Sequence, residues 1–193
     1  MTKPQTPIGR IMLNNVRLAF PALFVPNVDE VTKRVSYGAN FILAPDHPQL
    51  PDVARLMDEV GQAKWADKWP AVKKGLEKQD RLALHDGDTK GKYDGFPGNF
   101  FISANSGATQ PTLLDRDRTS LTSDSRRLYS GCFVNVSLEF WAQKDHPKGG
   151  SRINAQLRGV QFCSEGEAFT SGRPADSSEF AAVTEGSAAD DFA

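Results

Sequence analysis

The chain has 193 residues, of which 24 are acidic and 23 are basic, so its formal net charge is −1. This length allows one domain with a hydrophobic core, and a hydrophobic fraction of 39% indicates that part of the chain lies outside that core. No run of about 18 apolar residues occurs, and the first residues lack the apolar stretch of a signal peptide. We therefore exclude membrane-spanning helices and expect a cytoplasmic protein.

The N-terminal part of the chain alternates in the manner of β-strands. Residues 8–24 predict a first strand, with Val16, Leu18 and Phe20 on one side, and residues 33–43 predict a second. One face of the second strand is expected to carry Val35, Tyr37, Ala39, Phe41 and Leu43.

The middle of the chain predicts helices, then a loop and a strand. Apolar residues recur at helical spacing over residues 48–78, which predicts one long helix or two shorter ones interrupted near Pro70. Residues 85–99 are rich in Gly and Asp, which indicates a loop. One face of the following strand is expected to carry Phe96, Gly98, Phe100 and Ile102.

The clearest strand signal is the alternation over residues 128–142. Its apolar face carries Leu128, Cys132, Val134, Val136, Leu138 and Phe140. Its opposite face carries Tyr129, Phe133, Asn135, Ser137, Glu139 and Trp141. A last strand is predicted over residues 152–162, where the apolar positions shift by one beyond Gly159, as a bulge or bend produces.

These elements predict a mainly β fold with a helical insertion at about residues 48–78 (α+β), arranged as a small mixed β barrel.

Residues 1–173 hold all 23 basic residues and 19 of the 24 acidic ones, a charge of +4. No basic residue follows Arg173. Residues 174–193 are rich in Ser, Ala and Gly and carry five acidic side chains, so we expect a disordered acidic tail there.

The chain offers little material for catalysis or for a cofactor. Cys132 and Cys163 are too few for a disulfide scaffold, and with three scattered histidines they do not predict a zinc site, so we expect both cysteines to be reduced and buried. No nucleotide-binding glycine motif, GxSxG or HExxH occurs, and no cofactor is expected. Asp115 and Asp117 could hold a metal ion in a nuclease, although their alternation with arginines is more typical of a solvated loop.

Aromatic and basic residues on the polar sides of the strands and in the loops favour a nucleic-acid surface. Rings provide platforms on which unpaired bases stack, while Lys and Arg neutralise phosphates, a combination suited to single strands. The alternative is that the aromatic residues of the strongest strand pack beneath the helices. The candidate residues are Arg34, Lys92, Tyr93, Phe101, Arg116, Arg118, Tyr129, Phe133, Trp141, Arg152 and Arg158.

The acidic tail has two functional interpretations and one inert one. Tethered to a basic groove, it would compete with phosphates at high effective concentration. Its last residues, Asp190, Asp191 and Phe192, join negative charge to an aromatic ring and form a peptide that a partner protein could bind. The inert alternative is that the tail only improves solubility.

Five blocks of the sequence are informative together: LNNVRLAFPALF (13–24), YGANFIL (37–43), GKYDGFPGNFFISANS (91–106), LYSGCFVNVSLEFWAQ (128–143) and LRGVQFCSEGEAF (157–169). In this order they resemble a family of bacteriophage single-stranded DNA-binding proteins. The resemblance implies a five-stranded oligonucleotide-binding (OB) barrel over residues 1–173, sequence-independent binding of single-stranded DNA, and a role in phage replication and recombination. The tail is similar to those of replicative single-strand binders, which recruit partners and modulate DNA access.

We therefore expect a non-enzymatic protein of the host cell cytoplasm that binds, protects and presents single-stranded DNA. Three alternatives remain open on the sequence. The protein could be a strand-annealing recombination mediator, a virion or scaffold β-barrel protein without a DNA role, or the metal-dependent nuclease of the aspartate pair.

Overall fold

The computed structural model describes residues 8–169 and is mainly β, with two helices inserted between the second and third strands. The predicted fold class is thereby confirmed, while the predicted acidic tail lies outside the described residues. The elements are β1 (Arg10–Val28), β2 (Val35–Leu43), α1 (Leu50–Trp65), α2 (Trp69–Lys78), β3 (Leu84–Asp86), β4 (Phe100–Gly107), β5 (Thr112–Leu114), β6 (Phe133–His146) and β7 (Gly150–Ser164).

Five of the strands close into a barrel. Antiparallel pairing joins β4, β2, β1, β6 and β7 in that order, and a parallel pairing of β4 with β7 completes the ring. The closure is short, consisting of the pairs Ala104–Ala155 and Asn105–Gln156, and β3 and β5 extend the two edges beside it. A five-stranded, partly open barrel is the OB architecture that the resemblance implied.

The strongest predicted alternation is present in β6 and β7. The side chains of Val134, Val136, Leu138 and Phe140 are buried, while those on the opposite face of β6 are half-buried or exposed. The register between β6 and β7 slips where Ser137 pairs with Gly159, which is the bulge predicted from the shifted apolar positions.

In β1 the predicted alternation is wrong at one position. Phe20 was expected beside Val16 and Leu18 in the core, yet its side chain is 40% exposed. The register shifts between Ala19 and Ala22, and Phe20 has a φ of 48°, so a bulge turns its side chain to the outer face.

A second, smaller hydrophobic cluster forms outside the barrel. Phe96 was expected on a strand face with Phe100 and Ile102, but it lies in the loop before β4 and is fully buried. It packs with Ala19, Ile42 and Phe101 on the outer face of β1, β2 and β4. Local periodicity does not reveal this cluster, because its members come from three strands and a loop.

The helices complete the barrel core. Val53, Met57 and Val60 of α1 belong to the same buried cluster as the core faces of β6 and β7. The chain breaks into two helices at residues 66–68, and Pro70 lies in the first turn of α2, where proline is tolerated. Within residues 8–169 no helix combines the length and apolar character needed to cross a membrane.

Candidate nucleic-acid interface

A groove of about 820 Å³ runs over the outer face of the barrel, across β3, β4, β7 and β6. Its floor contains Ser103 and Asn105 of β4 and Asn154 and Gln156 of β7. These residues point outward because the alternate positions of the same strands, among them Ala104, fill the core. Within the described chain these four floor side chains make no hydrogen bond to protein, so their donors and acceptors are free for a ligand.

Trp141 provides the exposed aromatic surface of the groove. It follows the core residue Phe140 on β6, which directs its indole to the outer face, where 44% of the side chain is exposed. The other two tryptophans, Trp65 and Trp69, are stacked on each other between the helices and are buried. The helices therefore do not cover Trp141, and the alternative of a buried ring is wrong for this residue.

Three arginines give the groove its positive charge. Arg34 lies in the β1–β2 loop, Arg152 lies on β7, and Arg81 follows α2 and donates to the Gly149 carbonyl at 3.1 Å. None of the ion pairs among residues 8–169 involves these arginines. Of the predicted site residues, the structure thus brings together Arg34, Trp141 and Arg152.

His85 is a groove residue that the sequence analysis missed. It pairs with Phe101 across β3 and β4, and the two rings stack at a centroid distance of 5.0 Å. The lining carboxylate of Asp80 contacts its Nδ1 at 2.8 Å. Phe101, expected as an open platform, is only 4% exposed because His85 and Phe96 cover it. A three-residue strand in a Gly- and Asp-rich segment offers no periodicity by which His85 could have been found.

Tyr129 and Phe133 are covered by the segment 164–169 at the C-terminal end of β7, and not by the helices. The Tyr129 hydroxyl donates to the Gly166 carbonyl at 2.9 Å and accepts from the Gly166 amide at 3.1 Å. The Arg17 guanidinium lies 5.5 Å from the ring of Phe133 and 4.5 Å from that of Phe169. These contacts hold the segment against the barrel, away from the groove lining.

Comparison with known proteins identifies the family. The family model described as "Enterobacter phage Enc34, ssDNA-binding protein" matches residues 9–193. The chain belongs to this family. A curated relative, the "Putative protein p50" of Acyrthosiphon pisum secondary endosymbiont phage 1, is 39% identical over 181 residues, which are 89% of this chain and 92% of the relative.

Solved structures share the fold of this family member. The Enc34 single-stranded DNA-binding protein in complex with ssDNA matches with a TM-score of 0.68 and 24% identity, over 83% of this chain and 89% of that one. Its C-terminal truncation matches with a TM-score of 0.65 and 25% identity over the same shares. The gp2.5 protein, a single-stranded DNA-binding protein encoded by bacteriophage T7, matches with a TM-score of 0.56 and 12% identity, over 80% and 86%.

In this family member, Lys92 and Tyr93 lie beside the second hydrophobic cluster and do not line the groove. The Lys92 ammonium is 5.1 Å from the Tyr93 ring, whose edge meets Phe20. Lys90 lies 4.6 Å from the Phe101 ring, and burial lowers the pKa of its ammonium. Phe101 links this cluster to the groove, because its ring stacks on the groove residue His85.

Arg116 and Arg118 lie in the loop after β5, also outside the groove lining. Arg116 is 5.8 Å from the Phe162 ring. In the same loop Asp115 pairs with Arg127 at 3.1 Å. Hydrogen bonds from Thr119 lower the pKa of the Asp117 carboxyl. The carboxylates of the two aspartates that suggested a nuclease therefore bind neighbouring residues, Asp115 the guanidinium of Arg127 and Asp117 the amide and hydroxyl of Thr119. Among residues 8–169 no group of three or more His, Cys, Asp or Glu is arranged to hold a metal ion.

The two cysteines differ in environment. Cys132 is buried in the core, and burial raises the pKa of its thiol to about 11. Cys163 is only half-buried, which corrects the expectation that both are buried, and burial raises the pKa of its thiol as well. Both thiols are therefore protonated, and hence weak nucleophiles, at neutral pH.

Proposed function

We propose that this protein is a sequence-independent single-stranded DNA-binding protein of a bacteriophage, and that the strand lies in the groove beside Trp141. The observation that carries the proposal is the placement on this particular face of an exposed indole and of three arginines that form no ion pair within residues 8–169. OB folds bind oligonucleotides on the face of their second and third strands and on the loops that follow their first and fourth strands. Here those elements are β2, β4, the loop with Arg34, and the β6–β7 turn. Of these, β4 and the loop with Arg34 line the groove, as does His146 at the end of β6.

The groove chemistry suits unpaired bases of any sequence. Every base has a flat face that can stack on the Trp141 indole, whereas the bases of a duplex are already stacked on each other. Arginines neutralise phosphates, which are the same at every nucleotide. The hydroxyl and amide groups of Ser103, Asn105 and Asn154 can donate to or accept from different base edges.

The proposed action involves no bond formation or cleavage. Binding alone protects the strand, opposes the re-formation of hairpins and presents the DNA to replication and recombination enzymes. We propose that this occurs in the host cell cytoplasm and requires no cofactor, with residues 1–173 as the DNA-binding domain.

The test is a titration of fluorescently labelled oligo-dT of about 16 nucleotides, the upper end of OB-fold site sizes. A duplex of the same length is the control. We expect saturable binding to oligo-dT, weaker binding to the duplex, and an affinity that falls steeply with salt because neutralised phosphates release condensed counterions. Equal affinity for the duplex, or no effect of salt, would contradict the proposal.

The acidic residues 174–193 are proposed to compete with DNA for the basic groove. Deleting them should tighten oligo-dT binding several-fold at low ionic strength, because an internal polyanion is removed, and the gain should vanish at high salt. The same titration measures this, with a variant that converts the five acidic residues to amides as the matched control. If truncation leaves the affinity unchanged at low salt, the segment instead serves partner binding through Asp190, Asp191 and Phe192.

A further inference from the structure

A second basic site lies next to the groove, on the outer face of β1, β6 and β7. The Glu139 carboxylate accepts from Arg10 Nη2 at 3.0 Å and from Arg158 Nη1 at 3.1 Å, both on the same oxygen. The three residues carry a net charge of +1, and we refer to them as the Arg10–Glu139–Arg158 cluster. Arg158 was predicted from the sequence as a DNA contact, but the other two members were not.

Strand register makes this cluster a continuation of the groove. Asn105 on β4 pairs with Gln156 on β7, Gln156 pairs with Glu139 on β6, and Glu139 pairs with Arg10 on β1. The first two residues line the groove and the last two belong to the cluster, so one straight row crosses four strands. Neighbouring strands are about 4.8 Å apart, which places Arg10 about 10 Å beyond Gln156.

The two guanidinium groups retain capacity for a further anion. Arginine has five N–H donors, and each of these arginines uses one on Glu139. The side chains of Arg10 and Arg158 are 35% and 42% exposed, so a ligand on the barrel surface can reach them. Within residues 8–169, Arg10 Nε is in addition a buried donor without a hydrogen-bond partner.

We propose that the Arg10–Glu139–Arg158 cluster is a phosphate-binding subsite for the part of a single strand that leaves the groove past Gln156. This inference rests on the proposed function. Glu139 keeps the two guanidinium groups side by side, and its own charge opposes the incoming phosphate. The cluster therefore binds the DNA backbone of long strands and contributes nothing to a strand short enough to lie within the groove.

The test compares oligo-dT of about 4 and about 16 nucleotides, the two ends of the OB-fold range, on the full-length protein. The double variant R10S/R158S should weaken binding of the long strand about tenfold and reduce its salt slope by about 0.7, the value for one phosphate, while short-strand binding changes less than twofold. The variant R55S, which removes one ion-paired arginine on α1, is the control for losing an ion-paired arginine elsewhere on the surface and should change neither.

A second variant separates the loss of the cross-strand ion pairs from the loss of the phosphate contacts, because it abolishes both ion pairs but keeps both guanidinium groups. Glu139→Gln removes the opposing charge and should tighten long-strand binding about threefold without affecting the short strand. Equal losses for both lengths in R10S/R158S, or no loss for either, would overturn the subsite while leaving groove binding established. Failure of the wild-type protein to bind either strand would instead overturn the proposed function.

Discussion

Replacing Trp141 with alanine should weaken oligo-dT binding by about 5- to 150-fold. A base stacked on an aromatic side chain is worth about 1–3 kcal/mol, and within residues 8–169 Trp141 is the only groove-lining ring other than the histidines. The affinity is measured by anisotropy of a labelled strand, so the readout does not depend on the removed indole. Thermal unfolding should change little because the side chain is 44% exposed.

The conservative variant separates stacking from a general disturbance of the groove. Trp141→Phe should retain most of the affinity, since phenylalanine still offers a flat apolar face. In the wild-type protein, poly-dT should quench tryptophan emission, and the quenching should disappear in this variant because Trp65 and Trp69 are buried. An alanine variant that is folded and binds as tightly as the wild-type protein would show that the strand does not stack on Trp141.

Replacing both Arg34 and Arg152 with serine should weaken binding at low salt by at least about tenfold. Each lost phosphate contact lowers the slope of log affinity against log salt by about 0.7 for a single strand, so the slope should fall by about 1.4. The difference in affinity between variant and wild-type protein should shrink as salt increases, because the variant releases fewer counterions per bound strand than the wild-type protein does. Titrations at several salt concentrations measure both quantities.

A matched pair of arginines provides the control for this variant. Arg116 and Arg118 also come from a basic surface predicted by the sequence, but they lie in the loop after β5, outside the groove lining. The variant R116S/R118S has the same net charge as R34S/R152S and should leave the salt slope within experimental error. Equal effects of the two variants would mean that the strand is held by overall charge and not by the groove.

The sequence alone determined the elements whose signals are local. The alternation that ends in Trp141, the parity change at Gly159 and the helical spacing over residues 48–78 are each contained in one continuous segment. Side-chain direction in a strand follows from its period of two, so the outward positions of Trp141 and Arg152 could be predicted before the fold was known.

Only the tertiary structure decided which outward residues meet. The parallel pairing of Asn105 with Gln156 brings β3 and β4 beside β6 and β7, and no local pattern encodes a contact between segments so distant in the chain. The same long-range packing buried Phe101 under His85 and covered Tyr129 with residues 164–169. Sequence periodicity tells which side of a strand a residue faces, whereas exposure depends on what the rest of the chain places against that side.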